Sequence, residues 1–146
     1  MRAVIQRVSN ARVKADNKVT GSITKGLLIL LAIHRDDTEK QMNWMVEKCC
    51  RLRIFEDENG KMNKSVEDIS GEILLVSQFT LYGELKKGTR PGFSASANPE
   101  KAKMMYGQMV DMFSEKMPGR IQTGIFAAKM QVLLENDGPV TIILER

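Results

Sequence analysis

Lys25-Gly26-Leu27-Leu28-Ile29-Leu30-Leu31-Ala32-Ile33 is the stretch on which the fold turns. Its apolar residues run without interruption instead of alternating, as expected of a strand covered on both faces, so it should lie at the centre of the molecule. Upstream, Met1–Val8, Ala11–Ala15 and Val19–Ile23 are rich in β-branched residues and are punctuated by Ser9-Asn10 and Asp16-Asn17, which reads as strands joined by tight turns. Downstream, Thr38 and Gln41 form a capping box, and Met42, Met45, Val46 and Cys49 recur at the spacing of one buried helix face. Turns at Asp57–Gly60 and Asp68–Gly71 precede a strand over Glu72–Phe79. Gly83–Ala97 has no periodicity and carries Lys86, Lys87 and Arg90, and a loop of that length suggests a binding role. A second helix opens at Asn98-Pro99, buries Ala102, Met105, Tyr106, Met109 and Phe113, and stops at Pro118-Gly119. Met130–Glu135 and Val140–Glu145 read as two strands linked by Asn136-Asp137-Gly138-Pro139. Two helices among many strands predict an α+β fold, and the absence of a linker or repeat predicts one domain over 1–146.

The composition narrows the chemistry. The 146 residues include 22 Lys and Arg against 18 Asp and Glu, a net charge of +4 that suits a polyanionic partner better than a cationic one and equally fits an ordinary basic surface. A membrane span needs about 20 apolar residues, far more than Leu27–Ile33 supplies. Met1–Arg7 interleaves charge with apolar residues, unlike a signal peptide, so a cytoplasmic protein is expected. Cys49 and Cys50 are neighbours, a spacing that strains a disulfide, and are read as reduced thiols, with Cys49 packed on the buried helix face. With one histidine and no separated cysteine pair, neither a metal nor any other cofactor is expected. Phosphate-binding and dinucleotide glycine motifs and the Gly-x-Ser-x-Gly elbow are all missing. His34, the sole imidazole, has no nucleophile placed beside it by sequence.

Ser77-Gln78-Phe79-Thr80-Leu81-Tyr82 puts two hydroxyls and an amide at the end of an apolar strand, directly before the basic loop. If the strand ends in a kink there, free N–H groups around Phe79 and Thr80 could face a developing oxyanion, a form of stabilisation that needs no titratable residue. The same residues also fit Ser and Thr alternating outward on a strand whose inward residues are Val76 and Phe79. Gly138-Pro139 fits an ordinary turn, and a cis bond there is the rarer alternative.

These segments together resemble the D-aminoacyl-tRNA deacylases of bacteria and eukaryotes. The resemblance rests on Ser77–Tyr82 and Asn136-Asp137-Gly138-Pro139-Val140-Thr141, supported by Met1–Val8, Lys87-Gly88-Thr89-Arg90-Pro91 and Thr123–Met130. It implies a β-rich, barrel-like domain of mostly antiparallel sheets with two main helices, assembled as a homodimer. It also implies hydrolysis of the ester between a D-amino acid, or glycine, and the 3′-terminal adenosine of tRNA, with no role for membrane or DNA. Carried onto this sequence, Ser77, Gln78, Phe79 and Thr80 would form the catalytic segment, with the Phe79 N–H as oxyanion donor. Gly138 and Pro139, joined by a cis bond and inserted into the other subunit's pocket, would exclude L-amino acids by clash. Arg7 would brace that loop, Phe126 and Met130 would lie near the terminal adenine, and Val140 and Thr141 would support the site. Lys86, Lys87 and Arg90 are candidates for tRNA phosphate contacts. Thr80 has no neighbouring base and would be a poor nucleophile, so water attack assisted by the RNA 2′-hydroxyl is expected. Gly83 stands where the family more often has Ala, and Gly92 where it more often has Ser, which affects loop shape. The competing reading is a non-catalytic tRNA- or RNA-binding module.

Overall fold

The computed structural model describes residues 1–86 and 88–146. Its organising strand is β1 (Arg2–Ala15), which runs unbroken through Ser9-Asn10 where the sequence suggested a turn. Along one edge, β1 pairs antiparallel first with β3 (Gly26–Ala32) and then with β2 (Lys18–Ile23). Along the other edge it pairs antiparallel with β8 (Met130–Glu145) over almost its whole length. The β1–β2 turn places both Asp16 and Asn17 at positive φ, 49° and 61°, the backbone twist that a two-residue hairpin requires.

On the far side of β3, β6 (Glu72–Ser77) and then β7 (Ile121–Thr123) add in parallel, giving the order β2-β1-β3-β6-β7 with β8 on β1. The two ends of that order meet: a Cβ on Gly21 of β2 would stand 2.6 Å from the Thr123 carbonyl of β7. Gly21 therefore lets the sheet curl almost shut into a barrel. A small separate hairpin, β4 (Phe55–Glu56) with β5 (Met62–Lys64), turns at Asp57–Gly60 as the sequence suggested.

The continuous apolar run of β3 follows from this arrangement. Leu28 packs inside the barrel with Val8, Val13 and Leu74. Leu27, Ile29 and Leu31 face the opposite way, into a second core roofed by α1 (Glu39–Arg51) and α2 (Pro99–Lys116). α1 starts at the expected capping box, with the Thr38 N–H donating to Gln41 Oε1 at 3.0 Å, and buries Met42, Met45, Val46, Cys49 and also Cys50. α2 starts at Asn98, whose side chain accepts from the Lys101 N–H at 2.9 Å, and buries Met105, Tyr106, Met109 and Phe113. Ala102, expected in that stripe, is half-buried and faces a cleft.

Two expectations need correction. β6 ends at Ser77, and Phe79–Tyr82 form a 3-10 turn, so Phe79 does not point inward but is 57% exposed. The residues Asn136-Asp137-Gly138-Pro139 do not link two paired strands as a hairpin. Both halves of β8 pair with the same strand β1, and the tetrapeptide is a bend inside one long strand. Asp-Gly signals a hairpin only where the flanking segments pair with each other, and here β1 offers both of them a longer partner.

Candidate active site

The bend after β6 creates a cleft. Gln78 still follows the sheet, donating its N–H to the Leu31 carbonyl at 2.7 Å, and the chain then folds back so that Leu81 N–H reaches the Gln78 carbonyl at 3.2 Å. The N–H groups of Phe79 and Thr80, on the first turn after the strand, have no hydrogen-bond partner among the described residues. This matches the general property of helical first turns, whose N–H groups lack an internal acceptor. Ser96 Oγ donates to the Phe79 carbonyl at 3.1 Å, tying the far end of the Gly83–Ala97 loop to this turn. Phe93 from the same loop meets Phe79 edge-on, with ring centroids 5.1 Å apart.

Ser77, Gln78 and Phe79 line a cleft of about 530 Å³. Phe126, Met130, Val132 and Tyr106 of α2 line the same cleft. Tyr106 donates its hydroxyl to the Leu75 carbonyl at 2.8 Å, and burial pushes its ionisation above the ordinary phenol range. It is the one titratable side chain among the described residues that line the cleft. The walls are otherwise apolar, hydroxyl or amide groups, and no three His, Cys, Asp or Glu side chains converge as a metal site among the described residues. Gln78 Nε2 donates to Thr80 Oγ1, so that hydroxyl already accepts a hydrogen bond and has no base beside it. Electrophile stabilisation and exclusion of bulk water are the chemistry such a cleft can offer.

Gly138 and Pro139 lie elsewhere. Both are exposed on the bend of β8, they are joined by a cis peptide bond, and neither lines the cleft of its own chain. The bend is held by Arg7, which is only 5% exposed. Its Nη1 donates to the Ile54 carbonyl at 2.6 Å and its Nε to the Asp137 carbonyl at 3.0 Å, with the Asp137 carboxylate 3.3 Å away. A Cβ on Gly138 would stand 2.7 Å from Arg7 Nη2 and 2.9 Å from Val140 Cγ2, and its φ of +124° is one that residues with side chains rarely adopt. Val140 is buried in the helix-side core, whereas Thr141 is exposed beside Gln6.

The chain matches the profile of the family described as D-Tyr-tRNA(Tyr) deacylase over residues 4–145. It belongs to that family. The D-aminoacyl-tRNA deacylase of Kosmotoga olearia is 53% identical over 145 residues, covering 99% of this chain and 97% of the relative. A solved structure named "c-Myc DNA Unwinding Element Binding Protein" superposes with a TM-score of 0.95 at 43% identity, covering 100% of this chain and 99% of that one. A second, described as a probable eukaryotic D-amino acid tRNA deacylase, shares the fold at a TM-score of 0.81 and 17% identity, covering 98% of this chain and 97% of that one.

Within this deacylase-family chain the expected residues thus fall into three groups. Ser77, Gln78, Phe79, Phe126 and Met130 share the cleft, and Thr80 sits on the turn at its rim. Arg7, Gly138, Pro139, Val140 and Thr141 cluster at the β8 bend. The loop cations are a third set: Lys86 pairs with Glu84 at 3.0 Å, Arg90 is exposed, and Lys87 lies outside the described residues. Phe93 and Ser96 are cleft residues that no motif marked, and Tyr106 is buried as its stripe on α2 predicts while also lining the cleft. The sole sequence signal of Phe93 and Ser96 was position, in the aperiodic loop. No helix among the described residues is long and apolar enough to cross a membrane.

Proposed function

We propose that the protein hydrolyses the ester joining a D-amino acid, or glycine, to the 3′-terminal adenosine of tRNA, that it rejects the L-esters, and that it works as a cytoplasmic homodimer. The observation that carries the reading is the pair of N–H groups at Phe79 and Thr80 that have no partner among the described residues, beside a cleft to which those residues contribute no acid or base able to ionise near neutral pH. An aminoacyl ester is activated enough to be cleaved by such a site. Water adds to the carbonyl carbon, the developing oxyanion accepts from the two N–H groups, and the bond to O3′ breaks. The neighbouring 2′-hydroxyl passes the proton from water to O3′, leaving a free amino acid and a free tRNA 3′ end. Thr80 Oγ1 does not attack, because it accepts from Gln78 and no group among the described residues is placed to take its proton.

The separation of the two residue groups supports the dimer. Gly138 and Pro139 are exposed and outside their own chain's cleft, and in the proposed assembly a second copy delivers them. A backbone wedge at the α-carbon excludes one configuration by clash without reading the side chain, and so accepts many D-residues. Phe126 and Met130, which line the same cleft, would receive the adenine. Lys86, Lys87 and Arg90 would contact tRNA phosphates, with Glu84 offsetting part of the charge of Lys86.

The test is hydrolysis of D-tyrosyl-tRNA beside L-tyrosyl-tRNA by wild type and Pro139→Ala. Turnover of the D-ester alone, with selectivity reduced in the variant, is expected. A 2′-deoxy terminal adenosine should slow the D-reaction severely, and full-speed hydrolysis of that ester would refute the assisted-water step. The absence of a general base among the described residues of the cleft favours one second reading, a non-catalytic tRNA- or RNA-binding module. Binding of tRNA without turnover of either ester would establish it.

A further inference from the structure

The bend at Gly138-Pro139 is held on two flanks, and the second holder has not been assigned a role. Ladder pairing with β1 shifts register between the Asn10–Glu135 and Val8–Asn136 pairs and again between Val8–Asn136 and Gln6–Thr141, and the second shift leaves Asp137–Val140 opposite Arg7 without sheet partners. Arg7 takes the Asp137 carbonyl, on the N-terminal flank. On the C-terminal flank, Pro139 has no N–H to offer, and the Val140 N–H donates to Asn136 Oδ1 at 2.8 Å. The same amide donates from Nδ2 to Thr141 Oγ1 at 3.1 Å, an oxygen that Gln6 Nε2 also approaches at 3.4 Å. A carboxamide carries its acceptor and its donor on two separate atoms, so it can take the Val140 N–H and reach Thr141 at once.

We propose that Asn136 is a positioning residue for stereochemical selection, its amide closing the bend from within and so setting where Gly138 and Pro139 stand against the substrate. The inference rests on the reading of Gly138-Pro139 as the chiral wedge. Selection by clash depends on position at the scale of about 1 Å, the scale on which catalytic geometry is generally lost. Removing the amide leaves the Val140 N–H, at a residue 7% exposed, without its acceptor. The pairing at Thr141 and beyond stays intact. The wedge is then anchored by Arg7 alone and can recede from the α-carbon.

The experiment is single-turnover hydrolysis of D- and L-tyrosyl-tRNA by wild type, Asn136→Ala, Asn136→Asp and Pro139→Ala. The readout is the D-to-L rate ratio, which a loss of folded protein does not move because it scales both rates equally. Asn136→Ala is expected to narrow the ratio by about tenfold or more, and Asn136→Asp, which keeps the acceptor for Val140, to recover most of it. An unchanged ratio in Asn136→Ala beside a narrowed one in Pro139→Ala overturns the positioning role and leaves the wedge standing. Unchanged ratios in both remove the wedge reading and the inference with it. If Asn136→Ala does not fold, Thr141→Val takes its place by deleting the amide's second anchor, and a wild-type ratio there overturns the inference.

Discussion

Replacing Arg7 by Met keeps a side chain of similar reach and removes the guanidinium, so its consequence can be worked from three contacts. The Ile54 carbonyl, 2.6 Å from Nη1, belongs to a residue 5% exposed and would be left without a donor. Losing a charge-assisted bond of this kind costs about 1.5–3 kcal/mol. The Asp137 contacts at 3.0 and 3.3 Å are worth less, because the Asp137 side chain is 46% exposed and water can replace the guanidinium. Solvent screening reduces that part to about 0.5–1 kcal/mol. The sum is about 3 kcal/mol, a sizeable share of the 5–15 kcal/mol that holds a domain folded. With a urea slope of about 2 kcal/mol/M, the unfolding midpoint should fall by about 1.5 M. Trp44, the sole tryptophan, lies on α1 near the core and supplies the fluorescence signal. A midpoint within about 0.3 M of wild type, at unchanged slope, would show that Arg7 does not hold Ile54 and the bend together, and the reasoning would fail.

Other outcomes follow from the same structure. His34 packs edge-on against Tyr82 and lies outside the cleft, so His34→Ala should leave the rate of D-tyrosyl-tRNA hydrolysis and its profile from pH 6 to 8 within about twofold of wild type. A loss of a hundredfold would place His34 in the catalytic machinery and contradict a site that works without an imidazole base. Burial pushes the Cys49 thiol up and raises Cys50 from 9.0 to about 12, so neither should react with a thiol reagent at pH 8 until the protein is unfolded. The unfolded chain releases these protons near its ordinary thiol value while the folded chain retains them. Stability therefore falls as pH rises above about 9, by up to about 1.4 kcal/mol per pH unit for each thiol. A flat urea midpoint between pH 9 and 10.5 contradicts that burial.

What could be read in advance depended on whether the signal was local. The β3 run announced its two covered faces, and Thr38 with Gln41 announced the start of α1, because both are set within a few residues. The continuity of β1 and β8 was not legible, since Ser9-Asn10 and Asp137-Gly138 carry turn chemistry and only the long antiparallel register between the two strands overrides it. β7 went unread because three half-buried residues have no period to detect. Ser77–Thr80 pointed to a kink or a plain strand, and the choice depended on where pairing with β3 ends. The separation of the cleft from the Gly138-Pro139 bend is a tertiary fact that no motif spacing encodes.

The placement of that bend in the middle of a single strand makes its reach a matter of counting. Both halves of β8 are locked to one template strand, and adding or deleting one residue in either half would turn every following side chain to the opposite face of the sheet. Drift in chain length is therefore barred on both sides of Gly138-Pro139, and insertions should be tolerated at the β1–β2 hairpin or at Asp57–Gly60 long before they are tolerated here.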